Sequence, residues 1–393
     1  MRFLDQIDVK DKVVLVRVDY NVPVKDGRIV DDNRIVQSLP TLHYALQNGA
    51  AIVACSHLGK PKGKNVPELS LAPVAKRLGE LLNMNVPLAP DCIGPAVETL
   101  VAGLAPGQIL MLENLRFHPG ETANDDEFSK ALAKGAQVYV NDAFGVSHRA
   151  HASVVGVTRH VPICCGGFLL QKEWQYLGEA LKDPARPFVA ISGGAKVSSK
   201  LAVLKSLLGK VDRLLIGGAM ANTFLKAQGF EIGSSLVEND LMEEALKIMA
   251  EARKRGVSLY LPVDFIMGTD LKGELASGVR PYQDVPPGEM ILDTGPATHV
   301  LFSEALKDAK TVVWNGPMGA FENRVFAMGS YNLASELAAL DALTILGGGE
   351  TGVIVNDLNI ADKISFLSTG GGSFMEFLEG RELPAFTALE ECD

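Results

Sequence analysis

Residues 12–21 read KVVLVRVDYN: five apolar residues in six from Val13 to Val18, then an abrupt stop at Asp19-Tyr20-Asn21. A β-branched run of this length, apolar without alternation, is the pattern of a strand covered on both faces. Parallel sheets with helices on either side bury their strands in that way. The same pattern recurs at AAIVACSHLG (50–59), QILMLENLRF (108–117) and AQVYVNDAFG (136–145). In the second half it returns at FVAISGG (188–194), RLLIGG (213–218), TVVWNGP (311–317), LTILGGG (343–349) and ISFLSTGGG (364–372). Helical stretches lie between. Asn124 and Glu127 have capping-box spacing, with Phe128, Ala131 and Leu132 on one face and Gly135 as the stop. From Asn239 to Gly256, Leu241, Ala245, Ile248, Met249 and Ala252 form an apolar stripe that ends in Arg253, Lys254 and Arg255. Strands alternating with helices predict an α/β protein with two doubly wound parallel sheets.

At 393 residues, two domains are expected. The boundary is placed in PICCGGFLLQKEWQYLGEALKDPARP (162–187), whose middle reads as a helix before Pro184 and Pro187 break the chain ahead of a new strand. This divides the chain into domains 1–169 and 170–379 with a tail at 380–393. A net charge of −10 argues against nucleic acid or an anionic membrane as the main partner. The charged N-terminus has no signal-peptide core and no run reaches membrane-spanning length, so a cytoplasmic enzyme is expected. The five cysteines include no C-x-x-C pair and are expected as thiols.

The two halves differ at the carboxyl ends of their strands. Those of the first half end in Arg17, Asp19, Asn21, His57, Lys60, Arg116, His118, Asn141 and Asp142, with Arg34, His148, Arg149 and His151 in nearby loops. Ligands of open parallel sheets bind beyond the carboxyl ends of the strands. Guanidinium groups gathered there in an acidic protein read as a pocket for phosphate or carboxylate. Those of the second half end in glycine: Gly193-Gly194, Gly217-Gly218, Gly316 to Gly319, Gly347 to Gly349 and Gly370 to Gly372. Bare backbone next to helix N-termini suits phosphates and a planar base, so a nucleotide site is expected. Lys196 and Lys200 follow the first glycine pair at helical spacing and would share a face toward the phosphates.

Other readings are weaker. The chain has no G-x-x-x-x-G-K-[ST] phosphate loop, no zinc-spaced His/Cys cluster and no G-x-S-x-G elbow. Gly347, Gly349 and Gly352 satisfy G-x-G-x-x-G, but the next strand ends in Ser, Thr and Gly without the acid a dinucleotide requires. A nicotinamide oxidoreductase is therefore disfavoured. A non-catalytic nucleotide scaffold is disfavoured by retention of Lys196 and Arg34.

Taken in order, RVDYNVP (17–23), SHLGKP (56–61), LENLRFH (112–118), NDAFGVSHRAH (141–151), GGAKVSSK (193–200), WNGPMGAFE (314–322), GGGET (347–351) and STGGGS (368–373) resemble the signatures of the phosphoglycerate kinase family over essentially the whole chain. The resemblance implies two Rossmann-like domains joined by a hinge helix near 167–182, with the tail crossing back to the first. It implies reversible phosphoryl transfer between 1,3-bisphosphoglycerate and ADP, giving 3-phosphoglycerate and ATP in glycolysis. Mg²⁺ would be carried by the nucleotide, with no dedicated protein metal site, and the enzyme would be a monomer. Phosphoglycerate would meet Asp19, Asn21, Arg34, His57, the Leu58-Gly59-Lys60 turn, Arg116 and Arg149. Nucleotide would meet Lys200, Glu322 and the Gly348-Gly349-Glu350-Thr351 turn, and Lys196 and Arg34 would act on the transferring group. Three positions depart from the family's usual residues: Lys60 for Arg, Ala219 for Gly, and Glu350 for the Asp that serves the nucleotide's Mg²⁺. The acceptor is a carboxylate, ionised at pH 7, so no general base is expected.

Overall fold

Val13–Val18 (β1) is the centre of the first sheet, with Val14, Leu15, Val16 and Val18 all inaccessible to solvent. The computed structural model describes residues 1–179 and 181–392. After β1 come the short hairpin Val24–Lys25 (β2) and Arg28–Ile29 (β3), then Ala51–Cys55 (β4), Ile109–Met111 (β5), Val138–Asp142 (β6) and Cys164–Gly166 (β7). The five-stranded sheet has the order β5-β4-β1-β6-β7 and is parallel throughout. Val14, Val16 and Val18 share one face with Ile52, Ala54, Val138 and Val140, and pack on Ile35, Leu42 and Ala45 of the helix Asn33–Gln47. Each such aliphatic side chain stabilises the fold by about 1.5–3 kcal/mol when fully buried.

The second sheet contains Phe188–Ser192 (β8), Arg213–Ile216 (β9), Ser258–Tyr260 (β10), Thr311–Asn315 (β14), Leu343–Gly347 (β15) and Phe366–Ser368 (β16). Its order is β10-β9-β8-β14-β15-β16, again all parallel. Counting parallel strands alone, both sheets follow 3-2-1-4-5, and the second adds a sixth. This doubly wound order reverses direction once, between β1 and β6 in one sheet and between β8 and β14 in the other. Such a switch point opens a crevice beyond the strand ends. Asp264–Gly268 (β11), Gly278–Pro281 (β12) and Met290–Thr294 (β13) form a separate antiparallel sheet that the periodicity did not predict.

The chain divides into two compact units. One runs Met1–Gly178 and takes back the C-terminal segment from Glu382; the other is Glu179–Arg381. Residues 170–178 therefore stay with the first unit. The helix Phe168–Glu173 buries Leu170, its first turn donates Leu169 N–H to the Asp142 carboxylate at 2.9 Å, and Trp174 packs edge-on to Phe386 at 5.1 Å. The helix continues as a π-helical turn, Trp174–Glu179; of the hinge segment, Ala180 lies outside the described residues.

Local expectations change in three places. The helix predicted from Asn124 is capped by Asp125, whose side chain accepts Phe128 N–H at 2.8 Å; Asn124 instead ends the preceding turn in a left-handed conformation. No helix begins after Gly194. Lys196 lies in irregular chain and Lys200 in the turn that leads into helix Leu201–Leu207, because Gly194 at φ +112° carries the chain out of helical geometry. Two of the cysteines are not thiols: Cys164 and Cys392 form a disulfide, which no local pattern across a separation of 228 residues could announce. No helix among the described residues is long and apolar enough to cross a membrane.

Candidate active site

In the first unit, β1 delivers Arg17 into the interior at its carboxyl end, with no exposed surface. Its Nε donates to Ser153 Oγ at 2.8 Å, one terminal nitrogen meets the Val18 carbonyl, and the other lies 3.2 Å from His57 Nδ1. His57 is 2% exposed; burial, and after it the charges of Arg17, Arg116, Arg149 and Arg34, hold its pKa well below the usual range. The ring is therefore neutral. Nδ1 accepts from Arg17, so Nε2 carries the proton and is a donor. Asp19 orients the rim: it accepts Arg34 Nη1 at 2.7 Å and Asn21 N–H at 3.3 Å. Asn21 Oδ1 then accepts Gly59 N–H at 2.9 Å.

Arg116 comes from the turn after β5. Asn114 anchors this turn, accepting Leu58 N–H and Arg116 N–H and donating to the carbonyls of Leu58 and Leu69. Arg116 is 6% exposed. Nη1 donates to Gly59 O at 2.8 Å, while buried Nε and Nη2 have no hydrogen-bond partner among the described residues. Burial, with Arg149 and Arg17 beside it, pulls its pKa down to about 10. Arg149 is half-buried, with Nε 3.1 Å from His148 Nε2. Leu58 is buried and Lys60 exposed. The structure thus brings together Arg17, Asp19, Arg34, His57, Arg116 and Arg149, whose charges act on one another.

Other strand-end residues are structural. Asp142 is buried, its pKa raised to about 7 by desolvation, and it accepts the first N–H groups of helix Phe168–Glu173. Asn141 Oδ1 takes Ala143 N–H, and His118 pairs with Asp91 at 2.7 Å.

In the second unit the glycine turns after β8, β9 and β14 line a cavity of about 1140 Å³, while no glycine of 347–349 or 370–372 does. The turns after β8, β9 and β14 meet backbone against backbone. A Cβ at Gly218 would lie 2.5 Å from Gly194 N, and one at Gly193 would lie 2.2 Å from Pro317 O. The glycines are therefore needed first to let three turns converge at the switch point. Lys196, Lys200, Ala219, Glu322 and Glu350 line the cavity. Lys196 is exposed. Lys200 is half-buried, its Nζ 3.6 Å from Met375 Sδ, and desolvation lowers its pKa to about 8 against the opposing pull of Glu350. Of the 348–351 turn, only Glu350 lines the cavity; the Thr351 hydroxyl donates to the carbonyls of Gly347 and Gly348.

Sequence reasoning missed the wall built from the antiparallel sheet. Phe265 from β11, Leu292, Asp293 and Thr294 from β13, and the 271–274 loop all line the cavity. Asp293 is buried, which raises its pKa to about 7, and it accepts Gly329 N–H and Thr294 N–H. The signal was present in MILDTG (290–295), an apolar run ending at glycine like the strands that were found.

A cluster of cations and a glycine-lined cavity, each at the switch point of a doubly wound sheet, are what a phosphoryl-transfer enzyme with two anionic ligands requires. The family model for phosphoglycerate kinase matches residues 4–381. The chain belongs to the phosphoglycerate kinase family. It is 57% identical to the phosphoglycerate kinase of Maridesulfovibrio salexigens over 396 residues, covering 100% of both chains. It is 53% identical to that of Desulfosudis oleivorans, covering 99% of each. The solved structure of phosphoglycerate kinase from Coxiella burnetii superposes with a TM-score of 0.90 at 42% identity, covering 99% of this chain and 98% of that one. The Pyrococcus horikoshii structure gives 0.88 at 32%, covering 100% and 99%. Family membership makes the chain a phosphotransferase with a carboxyl acceptor: in glycolysis it interconverts 1,3-bisphosphoglycerate plus ADP and 3-phosphoglycerate plus ATP.

Proposed function

We propose that the first unit holds the phosphoglycerate and the second the nucleotide, with Lys196 and Arg34 acting on the transferring phosphoryl group. The observation that carries this division is Arg116, a buried cation with two donors left unpartnered among the described residues. A buried donor without an acceptor costs roughly 1–3 kcal/mol, and more when charged. An anion accepting from Nε and Nη2 removes that penalty and restores the charge balance among Arg17, Arg34, Arg116 and Arg149. Asp19, Asn21 and the Leu58-Gly59-Lys60 turn set the rim, and His57 donates through Nε2–H. Lys60 supplies a point charge, without the two-pronged contact a guanidinium makes.

In the second unit the cavity is large enough for a nucleotide and offers Lys200 to its phosphates. Glu350, at the first turn of helix Gly349–Asp357, is exposed and makes no ion pair among the described residues. A single free carboxylate suits Mg²⁺, which takes one or two protein oxygens together with phosphates and water. Bound there with the nucleotide, Mg²⁺ supplies charge neutralisation on the phosphate oxygens.

In the ATP-consuming direction the acceptor carboxylate attacks the γ-phosphorus as the bond to the β-phosphate oxygen breaks. No proton needs removing, and a neutral, buried His57 is a ligand and not a base. What the chain contributes is alignment and charge for a loose in-line transfer. The two ligands must be brought together away from water, which would otherwise hydrolyse the acyl phosphate. The 168–179 helix, where the chain leaves the first unit, is the proposed place for that motion.

The test is a coupled assay of 3-phosphoglycerate-dependent ATP consumption with calorimetry on Arg116→Ala. The expected result is activity in the native chain and selective loss of phosphoglycerate affinity in the variant. Equal losses of ADP and phosphoglycerate affinity would refute the division.

A further inference from the structure

The C-terminal segment reaches the loop that carries Arg149. Helix Pro384–Glu391 buries Ala385, Phe386, Ala388 and Leu389. Phe386 stacks on Phe144 with centroids 6.1 Å apart, and Ala385 packs among Ala143, Val146 and Val154. Ala385 N–H donates to Ser147 O at 3.1 Å, two residues before Arg149, whose own N–H returns to Val146 O at 3.0 Å. The segment thus supports the turn from Ala143 to Ser147, which leads directly to Arg149. Beyond it, Cys392 is bonded to Cys164 in the edge strand β7. Two features make this bond suited to change. Cys392 is half-buried and approachable, while Cys164 is inaccessible. Carbonyl acceptors also await the reduced sulfurs: Thr158 O lies 3.7 Å and Val161 O 3.9 Å from Cys164 Sγ, and Val161 O lies 3.8 Å from Cys392 Sγ. Both redox forms therefore find partners in the same place.

We propose that Cys164–Cys392 is a thiol–disulfide exchange site through which a dithiol sets how firmly the C-terminal segment supports the Arg149 loop. The effect on substrate rests on the reading of Arg149 as a phosphoglycerate ligand. In the reductive direction a thiolate of the dithiol attacks Cys392 Sγ. The Cys164–Cys392 bond breaks, and Cys164 leaves and takes a proton. The second thiolate of the dithiol then attacks its partner sulfur in the mixed disulfide and releases Cys392, which is protonated in turn. One dithiol is oxidised to a disulfide and one protein disulfide is reduced to two thiols; glutathione disulfide reverses the change by the same exchange. Reduction leaves the segment held by packing and the Ala385–Ser147 hydrogen bond without a covalent tie, so its opening becomes local and more frequent.

The experiment compares the full chain equilibrated with glutathione disulfide and with dithiothreitol, alongside Cys392→Ser, which avoids disturbing the buried Cys164. Peptide mass spectrometry with fragmentation between Cys164 and Cys165 reads the bond, hydrogen exchange reads the 384–391 amides, and steady-state kinetics read both substrates. The expected results are a Cys164–Cys392 peptide in the oxidised chain only and amide exchange about tenfold faster after reduction. KM for 3-phosphoglycerate should rise about fivefold, the worth of one loosened charge-assisted contact, with KM for ATP unchanged. Cys392→Ser should match the reduced chain under both conditions. Absence of the cross-linked peptide after oxidation, or equal amide exchange in the two forms, would overturn the proposal. Faster exchange with an unchanged phosphoglycerate KM would overturn the coupling, provided Arg149→Ala raises that KM. If Arg149→Ala leaves KM unchanged, the ligand assignment fails, and the exchange site is judged on the peptide and the amide rates.

Discussion

Raising the pH should weaken nucleotide binding through Lys200. Its ammonium is half-buried, faces a thioether in place of an anion, and has its pKa lowered to about 8 by desolvation. A phosphate beside it favours the charged form and raises that value. Affinity then follows the protonated fraction of the free protein. That fraction is about nine-tenths at pH 7 and about one-tenth at pH 9, so ADP affinity should fall about tenfold, or about 1.4 kcal/mol, with the curve flat below pH 7. Stability moves the other way. The folded pKa lies below the unfolded value of 10.5, so between about 8 and 10.5 the unfolded chain binds more protons and stability from this group rises with pH. Loss of binding at pH 9 is therefore not loss of fold. Calorimetric titration of ADP with Mg²⁺ at pH 7, 8 and 9 measures the slope. Lys200→Arg, which stays charged, should bind with a flat profile, and Lys200→Met weakly with a flat profile. A flat profile in the native chain, or the same tenfold fall in Lys200→Arg, would show that Lys200 does not carry the phosphate contact.

Lys196→Ala should lower turnover by about 10²–10³-fold and leave the 3-phosphoglycerate KM within a few-fold, since its charge is used on the transferring group; near-normal turnover removes it from the mechanism. Arg116→Ala should weaken phosphoglycerate by about 10–100-fold with ADP affinity unchanged, as charged contacts contribute about 1.5–3 kcal/mol; calorimetry on both ligands checks it. Gly218→Ala should lower the urea midpoint, a loss of about 1–3 kcal/mol, because its Cβ would lie 2.5 Å from Gly194 N at φ +66°; an unchanged midpoint would mean the turns have room to separate. Small-angle scattering should show compaction only with both substrates bound, because one ligand touching one unit has little preference for a closed form; full compaction with MgADP alone argues against the bridging role of the paired ligands.

Most of the parallel strands were readable because burial on both faces leaves a mostly apolar run, as in Val13–Val18 and Thr311–Asn315, whereas the short strands Cys164–Gly166 and Ser258–Tyr260 were not. The chemical contrast between the units was readable too, since cations and glycines stand directly after those runs. The ordered motifs alone carried the resemblance to the family. Tertiary structure decided what depends on groups distant in sequence. It made Asp142 a helix cap in place of a ligand, because desolvation and the Leu169 and Leu170 N–H groups meet it there. It placed Lys196 and Lys200 ahead of the helix instead of on it, through the backbone of Gly194. It recruited β11 and β13 to the glycine-lined cavity through an antiparallel pairing that the apolar run of Met290–Thr294 does not itself specify. It joined Cys164 to Cys392 and left Arg116 with unpartnered donors. Local sequence specifies the period and the polarity of an element; which distant group it meets, and with what protonation and bonding, is set only when the packed chain excludes water.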